Sequence, residues 1–73
     1  MNVYIVMVND CVDSAHLTAV GAEDGMKVAI RNMGGIVPPP KRGEETPRTS
    51  IAGQRADGME YLYARVYEME VQP

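Results

Sequence analysis

The chain has 73 residues, a formal net charge of -3 and a hydrophobic content of 45%. This length allows a single domain over residues 1–73 and excludes a multidomain enzyme, a dinucleotide-binding fold and a repeat array, while the hydrophobic content is too high for a disordered chain. The core of so small a domain supplies on the order of 3–5 kcal/mol unless a metal, a cross-link or a partner adds to it.

Cysteine and histidine occur once each, as Cys11 and His16. One thiol excludes the internal disulfides of small secreted domains, and two such ligands are too few for a four-ligand zinc site. The apolar start of the chain is too short for a signal peptide or a membrane span. We therefore expect a cytoplasmic protein without a cofactor, a metal or contact with a membrane.

The N-terminal part of the chain predicts a β-hairpin. Residues 3–8 form an uninterrupted apolar run, which is typical of a strand in the interior of a sheet with both faces buried. Residues 9–14 are rich in turn-forming types, and residues 15–20 alternate between polar and apolar side chains. We expect a long polar turn over 9–14 and a second, shorter strand over 15–20.

Residues 22–33 predict a helix, because their apolar side chains recur with a period of 3.6 residues. Gly21 is the expected N-cap, and the glycines at 34 and 35 end the helix. Glu23 and Asp24 fall in the first turn, where carboxylates favour the positive end of the helix dipole. Gly25 would let the helix approach the sheet closely. The stripe that packs on the sheet consists of Ala22, Met26, Ala29, Ile30 and Met33.

The remainder of the chain predicts a loop and a second hairpin. Three prolines followed by polar residues indicate an extended, mobile loop at about residues 38–49. Residues 50–55 form a weak strand, Asp57-Gly58 is a preferred centre of a type I′ turn, and residues 60–71 form a long strand rich in Tyr and Val. The predicted class is α+β, with a single helix packed on a small antiparallel sheet in the order β-β-α-β-β.

Two pairs of side chains bear on catalysis. Cys11 and His16 are a candidate nucleophile and base, but they flank a hairpin tip that does not exclude water, and no third group orients the histidine. Glu68 and Glu70 share one face of a strand, where two carboxylates can perform acid–base chemistry. A surface thiol with a strand histidine, and a solvated strand end, are the favoured interpretations, so we do not expect an enzyme.

The C-terminal strand divides its side chains between two faces. Leu62, Ala64 and Val66 are expected to face the helix. The opposite face is aromatic and contains one cation, and its residues are Tyr61, Tyr63, Arg65, Tyr67 and Met69. Tyr and Arg are frequent hot-spot residues at protein interfaces, and Met gives adaptable contacts, so this strip predicts a partner-binding surface. The alternative is that the tyrosines cap a small core that lacks Phe and Trp.

Charged residues of the predicted loop form a second candidate binding site. Between residues 38 and 58 the chain contains four basic and three acidic residues, although the whole chain is acidic. The loop could offer charge complementarity to a partner through Lys41, Arg42, Glu44 and Glu45. Direct binding of nucleic acid is not expected, because the aromatic face has one basic residue and the net charge of the chain is negative.

The residues that open the helix, 20–29, read as a cap, two acids, a small residue, an apolar residue and a later Ala. This opening resembles that of the single helix in many small phage and mobile-element proteins, and antitoxins share it. Together with the N-terminal strand and the C-terminal hairpin, the chain is similar in architecture, size and acidity to phage anti-CRISPR proteins. The resemblance implies a non-enzymatic inhibitor that binds a bacterial defence complex in the host cytoplasm and blocks access of nucleic acid.

The sequence thus leads to two hypotheses about function. The first is a protein-binding module, specifically a small phage-type inhibitor of a bacterial defence or other host protein complex. The second is a self-associating regulatory or structural subunit, such as a homodimer or an antitoxin-like partner. The mass of the protein in solution separates them, because a stable homo-oligomer favours the second.

Overall fold

The structure is a computed structural model that describes residues 1–55, 58 and 61–72. Over these residues the strands form one antiparallel sheet in the order β2-β1-β5-β4-β3, and the helix packs on one of its faces. The predicted α+β class and the order β-β-α-β-β are confirmed, and a two-residue strand, β3, is added. The elements are β1 (Asn2–Val8), β2 (Cys11–His16), α1 (Ala19–Asn32), β3 (Gly35–Ile36), β4 (Ser50–Arg55) and β5 (Tyr61–Glu70).

The first hairpin turns more tightly than the sequence predicts. Asn9 and Asp10 form a two-residue turn with φ values of 48° and 68°, the left-handed pair that a type I′ turn requires, so that Cys11 already pairs with Val8. The long turn over 9–14 and the strand over 15–20 are therefore wrong. The reason is that Asn and Asp tolerate left-handed backbone, which lets the chain reverse at once.

Helix α1 begins three residues earlier than predicted. Thr18, not Gly21, is the N-cap, and its Oγ1 accepts a hydrogen bond from the Gly21 N–H at 3.0 Å. No acidic residue lies in the first turn, so the expected dipole interaction of Glu23 and Asp24 is wrong. The C-terminal end is as predicted, because Gly34 follows the helix with a φ of 81°.

The core lies between α1 and the sheet. The predicted inward face of β5 is confirmed, since Leu62 and Ala64 are buried and Val66 packs against them. Met33 departs from the predicted stripe: it is the C-cap and remains 44% exposed. The buried apolar residues are Val6, Val8, Ala22, Met26, Ala29, Ile30, Ile51, Leu62 and Ala64.

Two glycines let the helix lie close to the sheet. A Cβ at Gly25 would collide with the His16 imidazole of β2, as the small residue there suggested. On β4, a Cβ at Gly53 would lie 2.7 Å from the Ile30 Cγ2 atom of α1. The His16 ring and the Ile30 side chain therefore occupy the space that a side chain at these two positions would need.

Strand β1 lies in the interior of the sheet, as predicted, but only one of its faces is buried. Val6 and Val8 point to the core, whereas Val3, Ile5 and Met7 on the other face are half-buried. The prediction of burial on both faces is wrong because the one helix of the described residues covers one side of the sheet. The predicted strand over 50–55 is confirmed, β5 spans 61–70 of the predicted 60–71, and Asp57 of the predicted turn lies outside the described residues.

Candidate functional site

The side of the sheet turned away from α1 is the candidate site. We call this surface the open face and define it by the outward residues of β1, β4 and β5. Alternation along the strands and the pairings Ile5↔Tyr67, Met7↔Arg65 and Ala52↔Tyr63 place its members on one side. They are Val3, Ile5, Met7, Ser50, Ala52, Gln54, Tyr61, Tyr63, Arg65, Tyr67 and Met69.

The aromatic side chains of the open face are largely in contact with solvent. Tyr61 is 71% exposed, Tyr63 45% and Tyr67 42%, and Met69 at the end of the strand is 56% exposed. These rings lie outside the buried core that α1 covers. The sequence-predicted strip on β5 is thus a contiguous apolar surface, widened by the β1 residues beside it, and surfaces of this kind are common at sites of protein contact.

Arg65 lies at the centre of the open face. It is in the middle of β5, which is itself the middle strand of the sheet. Its guanidinium carbon is 5.7 Å from the centre of the Tyr63 ring and 5.3 Å from that of Tyr67, both within cation–π range. Across the strands it faces Met7 and Ser50. Over the described residues, Arg65 is therefore the only charged side chain that these three strands contribute to the open face, and it is held between two aromatic rings.

The loop between β3 and β4 adds polar groups at the margin of the open face. A turn closes where the Glu44 N–H donates to the Lys41 carbonyl and the Lys41 N–H donates to Glu44 Oε1, both at 3.0 Å. Lys41 and Glu44 line a groove of about 330 Å³ together with Ala52 and Tyr63. The structure thus brings two of the predicted loop residues beside the predicted aromatic strip.

The other two loop residues predicted to bind a partner, Arg42 and Glu45, do not line this groove. Arg42 is exposed. Glu45 lines a separate open groove of about 580 Å³ on the helix side of the sheet, with Tyr4 and Glu68. A hydrogen bond with Glu68, together with desolvation, raises the pKa of the Tyr4 hydroxyl above its ordinary value. The strand residues that line this groove, Tyr4, Val66 and Glu68, lie on the face of the sheet opposite to the open face.

A buried ion pair that the sequence analysis missed ties the loop to the helix. Arg48 is 6% exposed, and its Nε donates to Glu23 Oε2 at 2.9 Å while its backbone N–H donates to the same oxygen at 3.1 Å. Arg48 Nη1 also donates to the Pro38 carbonyl at 2.8 Å. The hydrogen bond from Arg48 holds the pKa of Glu23 below its usual range, despite the opposing effect of desolvation. The mobility of residues 38–49 stays a prediction, although these hydrogen bonds hold Arg48 in place within that segment.

Of the two catalytic pairs considered from the sequence, the structure separates the first. Cys11 and His16 lie at opposite ends of β2, which separates them by roughly 15 Å at the usual rise of an extended strand. The His16 imidazole instead forms a 2.8 Å hydrogen bond with Ser14 Oγ. Glu68 and Glu70 are exposed near the end of β5. No cluster of three metal-binding side chains exists among the residues that the structure describes.

The members of the open face that sequence reasoning missed include Val3, Ile5 and Met7 of β1. They belong to the apolar run over 3–8, for which the sequence predicts burial on both faces. The informative signal was the number of helices: with one predicted helix to cover a sheet, an interior strand that is apolar on both faces must leave one face open. The same argument would have joined these residues to the tyrosines of β5.

Comparison of the chain with known family models, with curated proteins and with solved structures finds no match. In the described part of the chain, no helix combines the length and apolar character needed to cross a membrane.

Proposed function

We propose that this protein is a non-enzymatic binding module that attaches to another protein through the open face of its sheet. The observation that supports the proposal is the uncovered apolar surface on β1 and β5, with exposed tyrosine rings around a central arginine. Tyr and Arg are enriched among residues that dominate binding energy, and such residues cluster near the centre of an interface. A surface of this composition gains free energy when a partner removes it from water.

The partner we propose is a bacterial host or defence protein complex, whose activity the bound module blocks. The support is the resemblance in size, acidity and element order to phage anti-CRISPR proteins. The net charge of -3 is small for a mimic of DNA, so we favour steric blocking by the sheet over imitation of nucleic acid. Lys41 and Glu44, at the margin of the open face, would add rim contacts that select the partner.

Affinity capture with matched variants tests the binding surface. Tagged wild-type protein, a Tyr63→Ser/Tyr67→Ser variant and a Val28→Ser variant are incubated with bacterial lysate, and retained proteins are identified by mass spectrometry. Val28 is an exposed apolar residue of α1, on the other side of the molecule, and is the control. We expect one complex to be retained by the wild type and by Val28→Ser, and to be lost from the double variant. Retention by all three proteins would contradict the proposed surface.

An assay in cells tests the proposed inhibition. The chain is expressed in a bacterium whose CRISPR-type immunity restricts a phage, and plaques are counted with the wild type and with the Tyr63→Ser/Tyr67→Ser variant. We expect restored plaquing with the wild type alone. If the phage stays restricted although the protein captures a partner, the proposal of a binding module stands but the anti-defence role is contradicted.

Self-association is the second candidate function, because the same open face could join two copies. Sedimentation of the wild type at micromolar concentration measures it directly. We expect the mass of one chain, whereas a stable dimer that the Tyr63→Ser/Tyr67→Ser variant lacks would favour the regulatory or structural subunit.

A further inference from the structure

Given the proposed function, on which this inference rests, we propose that the partner is a protein that presents a carboxylate to Arg65 from within an apolar surface. Asp or Glu flanked by aliphatic or aromatic residues is the matching chemistry. Arg65 is then the residue that selects the partner, and the tyrosines beside it supply contact area.

The position of Arg65 makes a counter-charge necessary. A partner that covers the open face removes its centre from water most completely, and the guanidinium is at that centre. Burying an unpaired charge is costly, whereas a carboxylate that accepts two N–H bonds from the guanidinium offsets the lost hydration. A purely apolar partner would leave Arg65 buried and unpaired.

No carboxylate of the described residues forms an ion pair with Arg65. Over the described residues, the ion pairs involve Lys27 and Arg48, and none involves Arg65. The outward positions of β1, β4 and β5 contain no carboxylate, because Glu68 and Glu70 lie on the helix side with Tyr4 and Asn2. The guanidinium is therefore available to an external acceptor.

The same charge pattern argues against a second copy as the occupant. Another copy would present the same three strands, so that each Arg65 would meet apolar side chains, tyrosines and no carboxylate from those strands. Stacking two such faces would bury two like charges near each other. A partner with an acidic residue at this point avoids that cost, and the pattern selects it over self-association.

Protein is favoured over nucleic acid as the acidic partner. A nucleic-acid surface needs several cations along the backbone path, and the open face offers one over the described residues of its three strands. The apolar residues around Arg65, Met7 and the two tyrosine rings, match aliphatic and aromatic side chains better than a phosphate chain.

The two tyrosines also set the direction of the guanidinium. With ring centres 5.7 Å and 5.3 Å from its guanidinium carbon, the side chain is held between the two rings, and no carboxylate of the described residues pairs with its N–H groups. Less conformational freedom is then lost when a carboxylate binds.

Selection from a library of random peptides displayed on phage particles tests the inference. The immobilised targets are the wild type, Arg65→Met, Arg65→Glu and, as a control, Arg31→Met, which removes an exposed arginine of α1. We expect the wild type and Arg31→Met to enrich peptides with Asp or Glu beside aliphatic or aromatic residues. Arg65→Met should lose the acidic preference, and Arg65→Glu should enrich Lys and Arg instead.

A binding measurement then tests whether the carboxylate meets Arg65. The best peptide and its Glu→Gln or Asp→Asn form are titrated against the wild type and Arg65→Met by fluorescence anisotropy. We expect the peptide change to weaken binding to the wild type by about tenfold or more and to leave binding to Arg65→Met nearly unchanged, which is the signature of a coupled pair. Circular dichroism of each variant checks that it is folded.

Five outcomes overturn the inference. If peptides depend on Tyr63 and Tyr67 but show no acidic preference, the carboxylate is wrong while the proposed binding face stands. If they bind the Tyr63→Ser/Tyr67→Ser variant as well as the wild type, or if no peptides are enriched, both proposals fail. If a single-stranded oligothymidine binds more tightly than the selected peptides, with a strong salt dependence, nucleic acid is the occupant. If the protein forms a dimer that requires Arg65, a second copy is the occupant.

Discussion

Two arginines of this chain occupy opposite environments and so have different roles. Arg48 is buried. Two of its hydrogen bonds go to Glu23 and fix the end of the loop on α1, and a third goes to the Pro38 carbonyl. Arg65 is held between two tyrosine rings on an open surface and has no ion pair among the described residues. The first arginine stabilises the fold because its charge is paired inside the molecule, whereas the second is suited to pairing with a group outside it.

The Glu23–Arg48 pair predicts how stability depends on pH. Glu23→Gln leaves Arg48 buried without its counter-charge and should cost about 1.5–3 kcal/mol of unfolding free energy at neutral pH. Because the pKa of Glu23 is lowered by folding, its contribution is complete above the unfolded-state pKa of about 4.3 and is lost as pH falls through the folded-state pKa. The difference between wild type and Glu23→Gln should therefore shrink in acid.

Urea unfolding of both proteins at a series of pH values measures this difference. Asp24→Asn is the matched control, since Asp24 neighbours Glu23, is mostly exposed and lies 3.9 Å from Lys27; it should change stability by about 0.5 kcal/mol or less. If the difference in unfolding free energy between wild type and Glu23→Gln stays constant into acid, the carboxylate charge is not what stabilises the pair.

At the scale of elements, the close approach of α1 to β4 depends on a glycine. The Ile30 side chain fills the space above Gly53, with its Cγ2 atom 2.7 Å from where a Cβ would be. Valine normally favours strands, so a destabilising effect of Val at this position would report the helix–sheet contact and not the propensity of the strand.

We predict that Gly53→Val lowers the unfolding free energy by about 1–3 kcal/mol through overpacking. Ala52→Val is the control, because Ala52 is the next residue of β4, is exposed and points to the open face; it should be neutral or slightly stabilising. Thermal unfolding followed by circular dichroism compares the two. Equal melting temperatures for both variants would mean that α1 does not press on β4 at this point.

The contact between helix and sheet is also tested from the side of the helix. Ile30 is fully buried, and Ile30→Asp should cost several kcal/mol because it places an unpaired charge in the core. Val28→Asp makes the same chemical change on the exposed side of α1 and should cost about 1 kcal/mol or less. If Ile30→Asp has the same melting temperature as the wild type, Ile30 does not pack between α1 and the sheet.

At the scale of the whole molecule, strand pairing and burial are greatest in the middle of the sheet. β5 pairs with β1 on one side and with β4 on the other, and α1 covers its inner face. β2 and β3 are the edge strands, and β3 has two residues. Interior strands with paired backbones open least often, so protection should fall from the centre of the sheet to its edges.

Amide hydrogen exchange measured by NMR checks this distribution. We expect the slowest exchange in β5 and β1, faster exchange in β2 and β3, and the fastest at the loop amides of Arg42, Gly43, Glu45 and Thr46, with a slower amide at Arg48, whose N–H is bonded to Glu23. Slow exchange at all four of these loop amides would contradict the loop mobility that the sequence predicts.

The sequence by itself determined the elements whose pattern is local. The 3.6-residue period of α1, the alternation along β5 and the glycine after the helix all follow from backbone geometry that neighbouring residues define. For that reason the α+β class, the helix stripe apart from Met33, and the outward direction of Tyr61, Tyr63, Arg65 and Tyr67 could be predicted. The boundary between β2 and α1 near residue 18 could not be predicted. The residue types at 15–20 are compatible both with a continuous strand and with a strand end followed by a helix N-cap.

Only the tertiary structure decided which residues from distant parts of the chain meet. The ion pair of Glu23 and Arg48 joins residues 25 positions apart, and the inclusion of Ile5 and Met7 in the open face depends on β5 inserting beside β1. Both depend on which surfaces a single helix can cover, a competition for burial among all elements at once. Local propensity does not encode that competition, so the open face, where the proposed binding takes place, became visible as a whole only in the folded sheet.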